Sequence, residues 1–512
     1  MRRASRVCWA SLVACALAVA APAATASRPE LRGIDGLVRV YDDALDARYG
    51  QAPLDLRRAC PPAPREACDV LAATVTWWRI LLDPGSRALD AQFSEQVDRA
   101  IRSTDAWVAR SPDAAEAHFY AGGAYAVRVQ WLVLRGEKVV AARDGKHIRQ
   151  ELDRAATLDP DLADADFGIG LYEYYADVAP TAAKVLRFLF MLPGGDRVDG
   201  LQRMQRARDH GVLLQGEADY QLQIIDLWYE HRVDLAIGLL KSLHEKYPGN
   251  PLFLSDLADV NERYLHDVTA ALDAWRELLD DAEAHRVNEA SLAEAEARLG
   301  MARQLDALYQ TDAALDQLRA LISAEPPQPL GILARAYLAL GKAEDRMGHR
   351  DAAMAAYRLA MAAAPTPDLQ DVADRASARL KRAPDAAKAE AFRLSLEGWR
   401  RLEGGDAAGA HGLLVQSLAL DPSDPVAHYR EARALEALRE DAAAVAQIEA
   451  TLQRARDCPA PIAASAFLAA GRLYERAGQR DRAIADYERA RGWFGGSAAT
   501  RAAATRAITR LR

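Results

Sequence analysis

The fold is decided by residues 334–365, which read ARAYLALGKAEDRMGHRDAAMAAYRLAMAAAP. A small residue, Gly341, precedes a second glycine, Gly348, by seven positions, and a second alanine-rich run then ends at Pro365. Alanine favours helix, glycine between two apolar periodic runs marks a turn, and proline ends a helix. This stretch therefore predicts two antiparallel helices joined by a short turn, with small residues where the helices approach each other.

The same pattern recurs in residues 464–491, ASAFLAAGRLYERAGQRDRAIADYERAR, and residues 391–422, AFRLSLEGWRRLEGGDAAGAHGLLVQSLALDP. Each first helix has a small residue seven positions before the turn glycine, and each second helix has a small, a large apolar and a small residue. The second-helix residues are Ala353, Tyr357 and Ala360; Ala483, Tyr487 and Ala490; and Ala410, Leu414 and Ser417. The pattern resembles the tetratricopeptide repeat (TPR), a helical hairpin of about 34 residues.

The spacing of the units agrees with this resemblance. Units that start at Ala391 and Glu217 each lead into the next unit, at Pro425 and Pro251, after 34 residues. The same template predicts ten hairpins, at about 69–112, 115–160, 163–212, 217–250, 251–284, 294–327, 334–367, 391–424, 425–458 and 464–497. The resemblance implies an all-α fold, a superhelical array of antiparallel helix hairpins that forms a TPR-like α-solenoid.

Composition breaks suggest how the chain is divided. We expect a signal peptide at 1–26, a lead-in helix and the Cys60–Cys68 turn at 27–68, a TPR-like array of stretched hairpins at 69–327, and a C-terminal TPR array at 328–512. The proline-rich stretch 326–329 and the segment 365–384, which carries an extra helix-like run, predict bends or domain boundaries. The alternative is that both are ordinary loops in one continuous superhelix.

The first 26 residues, MRRASRVCWASLVACALAVAAPAATA, predict export. Three arginines precede a short apolar run that ends in Ala24-Thr25-Ala26, as is typical of a secretory signal peptide. We therefore expect cleavage near Ala26 and a periplasmic or secreted mature chain without a transmembrane span. An alternative takes Leu12-Val13-Ala14-Cys15 as a lipobox, with a lipid on Cys15 that holds the protein at a membrane.

Charge and cysteine content restrict the partners further. Loss of residues 1–26 takes the formal net charge from −8 to −11. A chain with this charge and no basic run predicts no nucleic-acid partner. Cys60 and Cys68 enclose the turn CPPAPREAC, which in an oxidising compartment predicts a local disulfide. Two unpaired thiols are the alternative, and metal binding is disfavoured because no second close Cys or His pair is present.

The stretch LPGGDRVDGL, residues 192–201, could be a phosphate-binding turn or a helix break. Asp196 repels phosphate and is a good N-cap, so we interpret Gly194 and Gly195 as a break. The wider stretch, from GIGLYEYYADVAP to GGDR, is similar to a segment of Iml2/TTC39-type tetratricopeptide proteins and their bacterial relatives. That resemblance implies that the insertion at 179–193 is a structural feature of this type of hairpin.

No residue pattern predicts catalysis. The ten histidines are scattered without an HExxH motif, and the chain has no GxxxxGK[ST], GxGxxG or GxSxG pattern. Adjacent acids such as Asp42-Asp43 and Asp280-Asp281 are typical of solvated helix faces. We therefore expect no enzyme, no cofactor and no metal.

In tetratricopeptide arrays the first helix of each hairpin lines the concave groove, and the resemblance implies which residues of this chain do so. They are Phe167, Leu171, Tyr174 and Tyr175 in one repeat and Gln221, Ile225, Trp228 and Tyr229 in the next; farther along, the groove is expected to become charged, with Ser255, Asp259, Glu262 and Arg263. Clustered Tyr and Trp behave as binding anchors, although the same spacing is also typical of a core. Trp77, Trp78, Trp107 and Trp131 are assigned to the core.

The sequence therefore predicts an exported, non-catalytic scaffold whose groove binds a protein or peptide partner. Two alternatives remain open. One is a periplasmic carrier or sensor of a small apolar ligand, held in a pocket between the 179–193 insertion and the YEYY run at 172–175. The other is an envelope-assembly lipoprotein, which requires Cys15 to be the mature N-terminus.

Overall fold

A computed structural model describes residues 31–178, 194–383 and 385–512. These ranges contain 24 α-helices and no β-strand, which confirms the all-α prediction. The helices are α1 (Ile34–Leu45), α2 (Ala52–Ala59), α3 (Arg65–Leu82), α4 (Asp90–Arg110), α5 (Ala115–Leu134), α6 (Lys138–Leu158), α7 (Ala163–Val178), α8 (Arg197–His210), α9 (Gln215–Trp228), α10 (Val233–Lys246), α11 (Pro251–Arg263), α12 (Val268–Glu283), α13 (Ala290–Ala307), α14 (Thr311–Ala324), α15 (Ile332–Arg346), α16 (Arg350–Ala363), α17 (Val372–Leu380), α18 (Ala386–Glu403), α19 (Ala407–Leu420), α20 (Pro425–Ala437), α21 (Asp441–Gln453), α22 (Ala460–Arg476), α23 (Arg480–Gly492) and α24 (Ala498–Leu511).

Helices α3 to α16 form seven consecutive hairpins, and α18 to α23 form three more. These ten hairpins fall where the 34-residue template predicts them, so the superhelical array is confirmed. Residues 31–60 differ from the prediction of a single lead-in helix. They form two short helices, because the chain turns at Ala47, which has a positive φ of 56°, and Pro53 lies in the first turn of α2.

Close approach of small and large residues holds each hairpin together. A Cβ atom built on Gly341 would lie 2.4 Å from the ring of Tyr357, and one built on Gly471 would lie 2.5 Å from the ring of Tyr487. Gly348 has a φ of 79° in the turn between α15 and α16, where a residue with a side chain would be strained. The spacing of small and large residues in the sequence thus gives the register in which the two helices pack.

Two long-range contacts join the N-terminal helices to later parts of the superhelix. The side-chain amide of Asn250 donates a hydrogen bond of 2.7 Å to the carbonyl oxygen of Leu45, 205 residues earlier. The backbone N–H of Leu330 donates to the carboxylate of Asp83, at 3.0 and 3.1 Å, across 247 residues. Nine helices, α2 to α10, lie between the first two residues and eleven helices, α4 to α14, between the second two, so the chain meets itself again after about five hairpins.

The core continues across the position of the predicted domain boundary. A single buried cluster contains Leu318 and Leu321 before residues 327/328 and Ile332 and Ala336 after them. The extra helix-like run after Pro365 forms α17, which packs on α16. The division of the chain into two arrays stays a prediction.

Candidate binding site on the concave face

A cavity of about 670 Å³ lies on the concave side of the superhelix. Most of its lining comes from α3, α5, α9, α11, α13 and α15, Trp275 of α12 adds to it, and the loop around Leu330 closes one side, where it contacts Asp83. The six main helices are the first helices of their hairpins, as the resemblance implies for groove-lining elements. The volume falls in the range of pockets that bind small molecules or a few side chains.

Of the eight predicted groove residues, Phe167, Tyr174 and Ile225 are buried in one core cluster with Met204. Their assignment to a partner-contacting surface is therefore corrected, because no more than 5% of any of these side chains is exposed. The reason is the close approach of α7 to α8 at Gly170, where a Cβ atom would lie 2.5 Å from the carbonyl oxygen of Gly200. Residues three before and four after Gly170 share its helix face, so Phe167 and Tyr174 also point toward α8.

Gln221 faces the cavity but is occupied by internal hydrogen bonds. Its side-chain amide donates to Glu217 at 3.4 Å and lies 3.5 Å from the side-chain oxygen of Gln130. The buried Glu217 carboxylate also accepts hydrogen bonds from Tyr41, at 3.0 Å, and Trp78, at 3.1 Å. This network connects α1, α3, α5 and α9 behind the cavity wall.

The remaining predicted residues are Leu171 and Tyr175 in α7, and Trp228 and Tyr229 at the C-terminal end of α9. Leu171 and Tyr175 are half-buried against the same core cluster, and Tyr229 is partly exposed. The rings of Tyr174, Tyr175 and Tyr229 meet edge to face, with centroids 5.4 to 6.0 Å apart. Only part of the Tyr229 ring is therefore available to a partner, because one edge of the ring packs on Tyr174 and Tyr175.

Trp228 is the predicted residue with the largest exposed surface. Its side chain is 58% exposed and lies at the rim of the cavity, where Leu134 and Tyr264 are also exposed. An exposed aromatic ring at the mouth of a cavity is a favourable anchor for a partner. The partner-binding role assigned to Trp228 stays a prediction.

The charged part of the groove contains residues that the sequence analysis assigned and others that it missed. Ser255, Asp259 and Arg263 line the cavity as expected. Asp256, Glu296 and Arg335 also line it and were not singled out, because they come from three different helices and no local pattern connects them.

Burial changes the acidity of these groups. Burial and the negative charges of Asp259 and Glu296 raise the pKa of the Asp256 carboxyl to about 8. Burial, opposed by the positive charge of Arg335, raises the pKa of Glu296 to about 7. Burial likewise lowers the pKa of Arg335, whose Nε has no hydrogen-bond partner in the described chain. The cavity therefore favours the neutral forms of the Asp256 and Glu296 carboxyls and disfavours the positive charge of Arg335.

Gly194 and Gly195 directly precede Asp196 and the start of α8. The Asp196 carboxylate accepts hydrogen bonds from the backbone N–H groups of Val198, at 2.8 Å, and Asp199, at 3.0 Å. This confirms Asp196 as the N-cap of α8, and its negative charge occupies the position that a phosphate would take. The proposed small-ligand pocket under residues 179–193 lies outside the described residues.

Cys60 and Cys68 are joined by a disulfide, with their Cα atoms 6.6 Å apart. Cys458 is a free, buried thiol whose pKa is raised by burial to about 12. A thiol with a pKa this high is unreactive at neutral pH.

Neither a metal centre nor a membrane span is present in the part of the chain that the structure describes. No group of three or more His, Cys, Asp or Glu side chains in these residues is arranged to hold a metal ion. None of the described helices is long and apolar enough to cross a bilayer.

Stacked two-helix repeats whose first helices line a concave face define a helical-repeat solenoid. The sequence profile of the tetratricopeptide repeat matches residues 334–367 and 464–491. These matches show tetratricopeptide repeats in the two segments, and the other described hairpins have the same two-helix design.

Comparison with solved structures finds several similar chains. A tetratricopeptide repeat protein from Parabacteroides merdae is 16% identical, with 58% of this chain and 98% of that chain covered and a TM-score of 0.24. The human IFIT1 dimer with PPP-AAAA is 12% identical, with 91% and 95% covered and a TM-score of 0.31. A search of curated proteins finds no match.

Proposed function

We propose that this protein is an exported, non-catalytic scaffold that binds a segment of a protein partner on the concave face of its superhelix. The observation that carries this proposal is the cavity of about 670 Å³ with the exposed side chains of Leu134, Trp228 and Tyr264 at its rim. Tetratricopeptide repeats bind protein or peptide segments, and an exposed Trp beside a concave surface supplies a large, rigid contact.

The walls of the cavity are also suited to recognition because they are fixed before binding. The hydrogen bonds from Asn250 to Leu45 and from Leu330 to Asp83 tie successive parts of the superhelix together. A partner therefore does not have to order the site, and more of its contact energy remains as affinity.

Photocrosslinking in the native cell envelope tests this function. A photoreactive amino acid at Trp228 or Tyr264 should give a defined protein adduct, whereas the same amino acid at Arg358, exposed on the second helix of its hairpin, should not. Adducts at none of the positions, or equal adducts at all three, would reject the concave face as the binding surface.

We propose export on the basis of residues 1–26 and the Cys60–Cys68 disulfide, a bond typical of oxidising compartments. Mass spectrometry of the mature chain tests this. A chain that begins at Ser27 supports cleavage after Ala26, and one that begins at a lipidated Cys15 supports the lipoprotein alternative. A cytoplasmic chain that retains Met1 to Ala26 would contradict both.

A further inference from the structure

The charges that line the cavity are not balanced within the protein. Asp259 pairs with Arg263 at 2.9 Å, and Arg303 pairs with Glu262 at 2.5 Å. Apart from these pairs, three carboxyls and one arginine line the cavity and make no ion pair within the described chain. The carboxyls are those of Asp83, Asp256 and Glu296, and the arginine is Arg335.

Asp256 and Glu296 differ from Asp83 in having no hydrogen bond at all among the described residues. The Asp83 carboxylate accepts the backbone N–H of Leu330, whereas the other two carboxyls have no donor within hydrogen-bond distance. Partly buried carboxyls without a hydrogen-bond donor or a counter-ion are unfavourable in their ionised forms, and a positive charge between the two would stabilise both carboxylates.

A second, independent feature of the same cavity is the side chain of Gln223. It is only 4% exposed, it lines the cavity, and its amide makes no hydrogen bond within the described chain. An amide on a cavity wall that no protein group satisfies is open to a hydrogen bond from a ligand, and filling the cavity without supplying that bond would cost about 1–3 kcal/mol. Its carbonyl oxygen can accept a hydrogen bond from a group that enters the cavity.

The rim supplies what the stem of a long cationic side chain requires. Trp228 and Tyr264 present partly exposed aromatic surface beside the charged interior. The methylene groups of Lys and Arg pack on such surfaces while the charged end reaches farther in, and a cation near an aromatic face is itself stabilised.

From this arrangement we propose that the cavity binds the side chain of a lysine or arginine from the partner segment, with Asp256 and Glu296 as its counter-charges and Gln223 as a hydrogen-bond acceptor. The inference rests on the proposed function and specifies the chemistry of the partner. An acidic segment is disfavoured because the three unpaired carboxyls would repel it and only Arg335 would attract it.

Binding of a cation is expected to release protons. The pKa values of about 8 for Asp256 and about 7 for Glu296 mean that both carboxyls are partly protonated at pH 7. A bound cation favours their ionised forms, so affinity should rise with pH by at least about tenfold between pH 6 and pH 8. The other charged or titratable groups that line the cavity are Asp83, Tyr220, Asp259, Arg263, Tyr264, Arg303 and Arg335.

The test is selection of a displayed library of random dodecapeptides on the full mature chain, in parallel with two variants. The first variant, Asp256→Asn with Glu296→Gln, removes both charges with little change of shape. The matched control, Asp273→Asn with Glu277→Gln, removes two exposed acids of α12 whose side chains do not line the cavity. Circular dichroism establishes that all three proteins are folded.

Enrichment of Lys or Arg at one position of the selected peptides is expected with the mature chain and the control. The selected peptide should bind the Asp256→Asn, Glu296→Gln variant at least about tenfold more weakly. Calorimetry at pH 7 in buffers of different ionisation enthalpy should record proton release, of about one proton per peptide, that the variant lacks.

The other outcomes separate the two proposals. A selected motif without a basic residue, including an acidic motif, or a basic motif that the double variant binds equally well, would overturn the cation site and leave the scaffold function standing. If no motif is enriched on the mature chain, both the cation site and a peptide-binding groove are rejected.

Discussion

One added methyl group at Gly170 is expected to force α7 and α8 apart. The Cβ of an alanine there would lie 2.5 Å from the carbonyl oxygen of Gly200 and 3.0 Å from the backbone nitrogen of Met204. Backbone atoms cannot rotate away, and overpacking of this kind is destabilising by about 1–3 kcal/mol. Alanine regains up to about 1 kcal/mol through its higher helix propensity. We therefore expect Gly170→Ala to lower the local free energy of unfolding by about 1–2 kcal/mol.

The matched control is the same substitution at Gly238, which is exposed in α10 and whose Cβ would meet no atom within 4 Å. Helix propensity alone then acts, so Gly238→Ala should stabilise α10 by up to about 1 kcal/mol. Hydrogen exchange measured by mass spectrometry reports both changes, because it resolves the opening of single hairpins. Amides of α7 and α8 should exchange about tenfold faster in the first variant. Slower exchange in both variants would refute the close approach at Gly170.

Three further outcomes are expected. Trp78→Ala should lower the free energy of unfolding by about 3–5 kcal/mol because its ring is fully buried, whereas Trp228→Ala should change it by less than about 1 kcal/mol; equal losses in urea denaturation would contradict the exposed position of Trp228. Because the pKa of Asp256 is raised to about 8, the native protein should lose stability as the pH rises from 4 to 8, so Asp256→Asn should raise the thermal midpoint at pH 8 and not at pH 4; the opposite order would show that the carboxylate is stabilised. Reduction of the Cys60–Cys68 disulfide, which spans eight positions, should lower stability by about 2–3 kcal/mol, and a variant with alanine at both positions should not respond to reductant.

The hairpins could be predicted because their determinants are local. Gly341 and Tyr357 meet within one pair of helices, so their spacing along the chain carries the geometry of the contact. The N-cap role of Asp196 is local in the same sense, since its carboxylate binds N–H groups two and three positions later. Each of these features needs only the helical period and the chemistry of a single turn.

The groove residues were only partly predictable, although part of the missing signal was present. Gly170 occupies the small position that packs against α8, and Phe167 and Tyr174 lie on the same helix face by the helical period alone. Apolar residues on that face belong to the core. Trp228, one position beyond the buried Leu227, is the predicted residue that the helical period leaves at the surface.

The long-range features could not be predicted from the sequence. Asp83 meets Leu330 only because small rotations between repeats add up over 247 residues. Asp256 and Glu296 face one cavity for the same reason, since each lies on a separate helix in an ordinary-looking amphipathic pattern. No motif within a single repeat encodes this convergence.

The combination of a fixed frame and unbalanced charges has a consequence for selectivity. In the described chain Asp256, Glu296 and Gln223 line the cavity without hydrogen bonds to one another, and the contact between Asp83 and Leu330 closes one side of it. Under the proposed cation site, a segment that fills the cavity without supplying a cation would leave two carboxyls and an amide unpaired, and that penalty would discriminate against it. The proposed site would therefore select by rejecting neutral and acidic segments as much as by attracting a basic one.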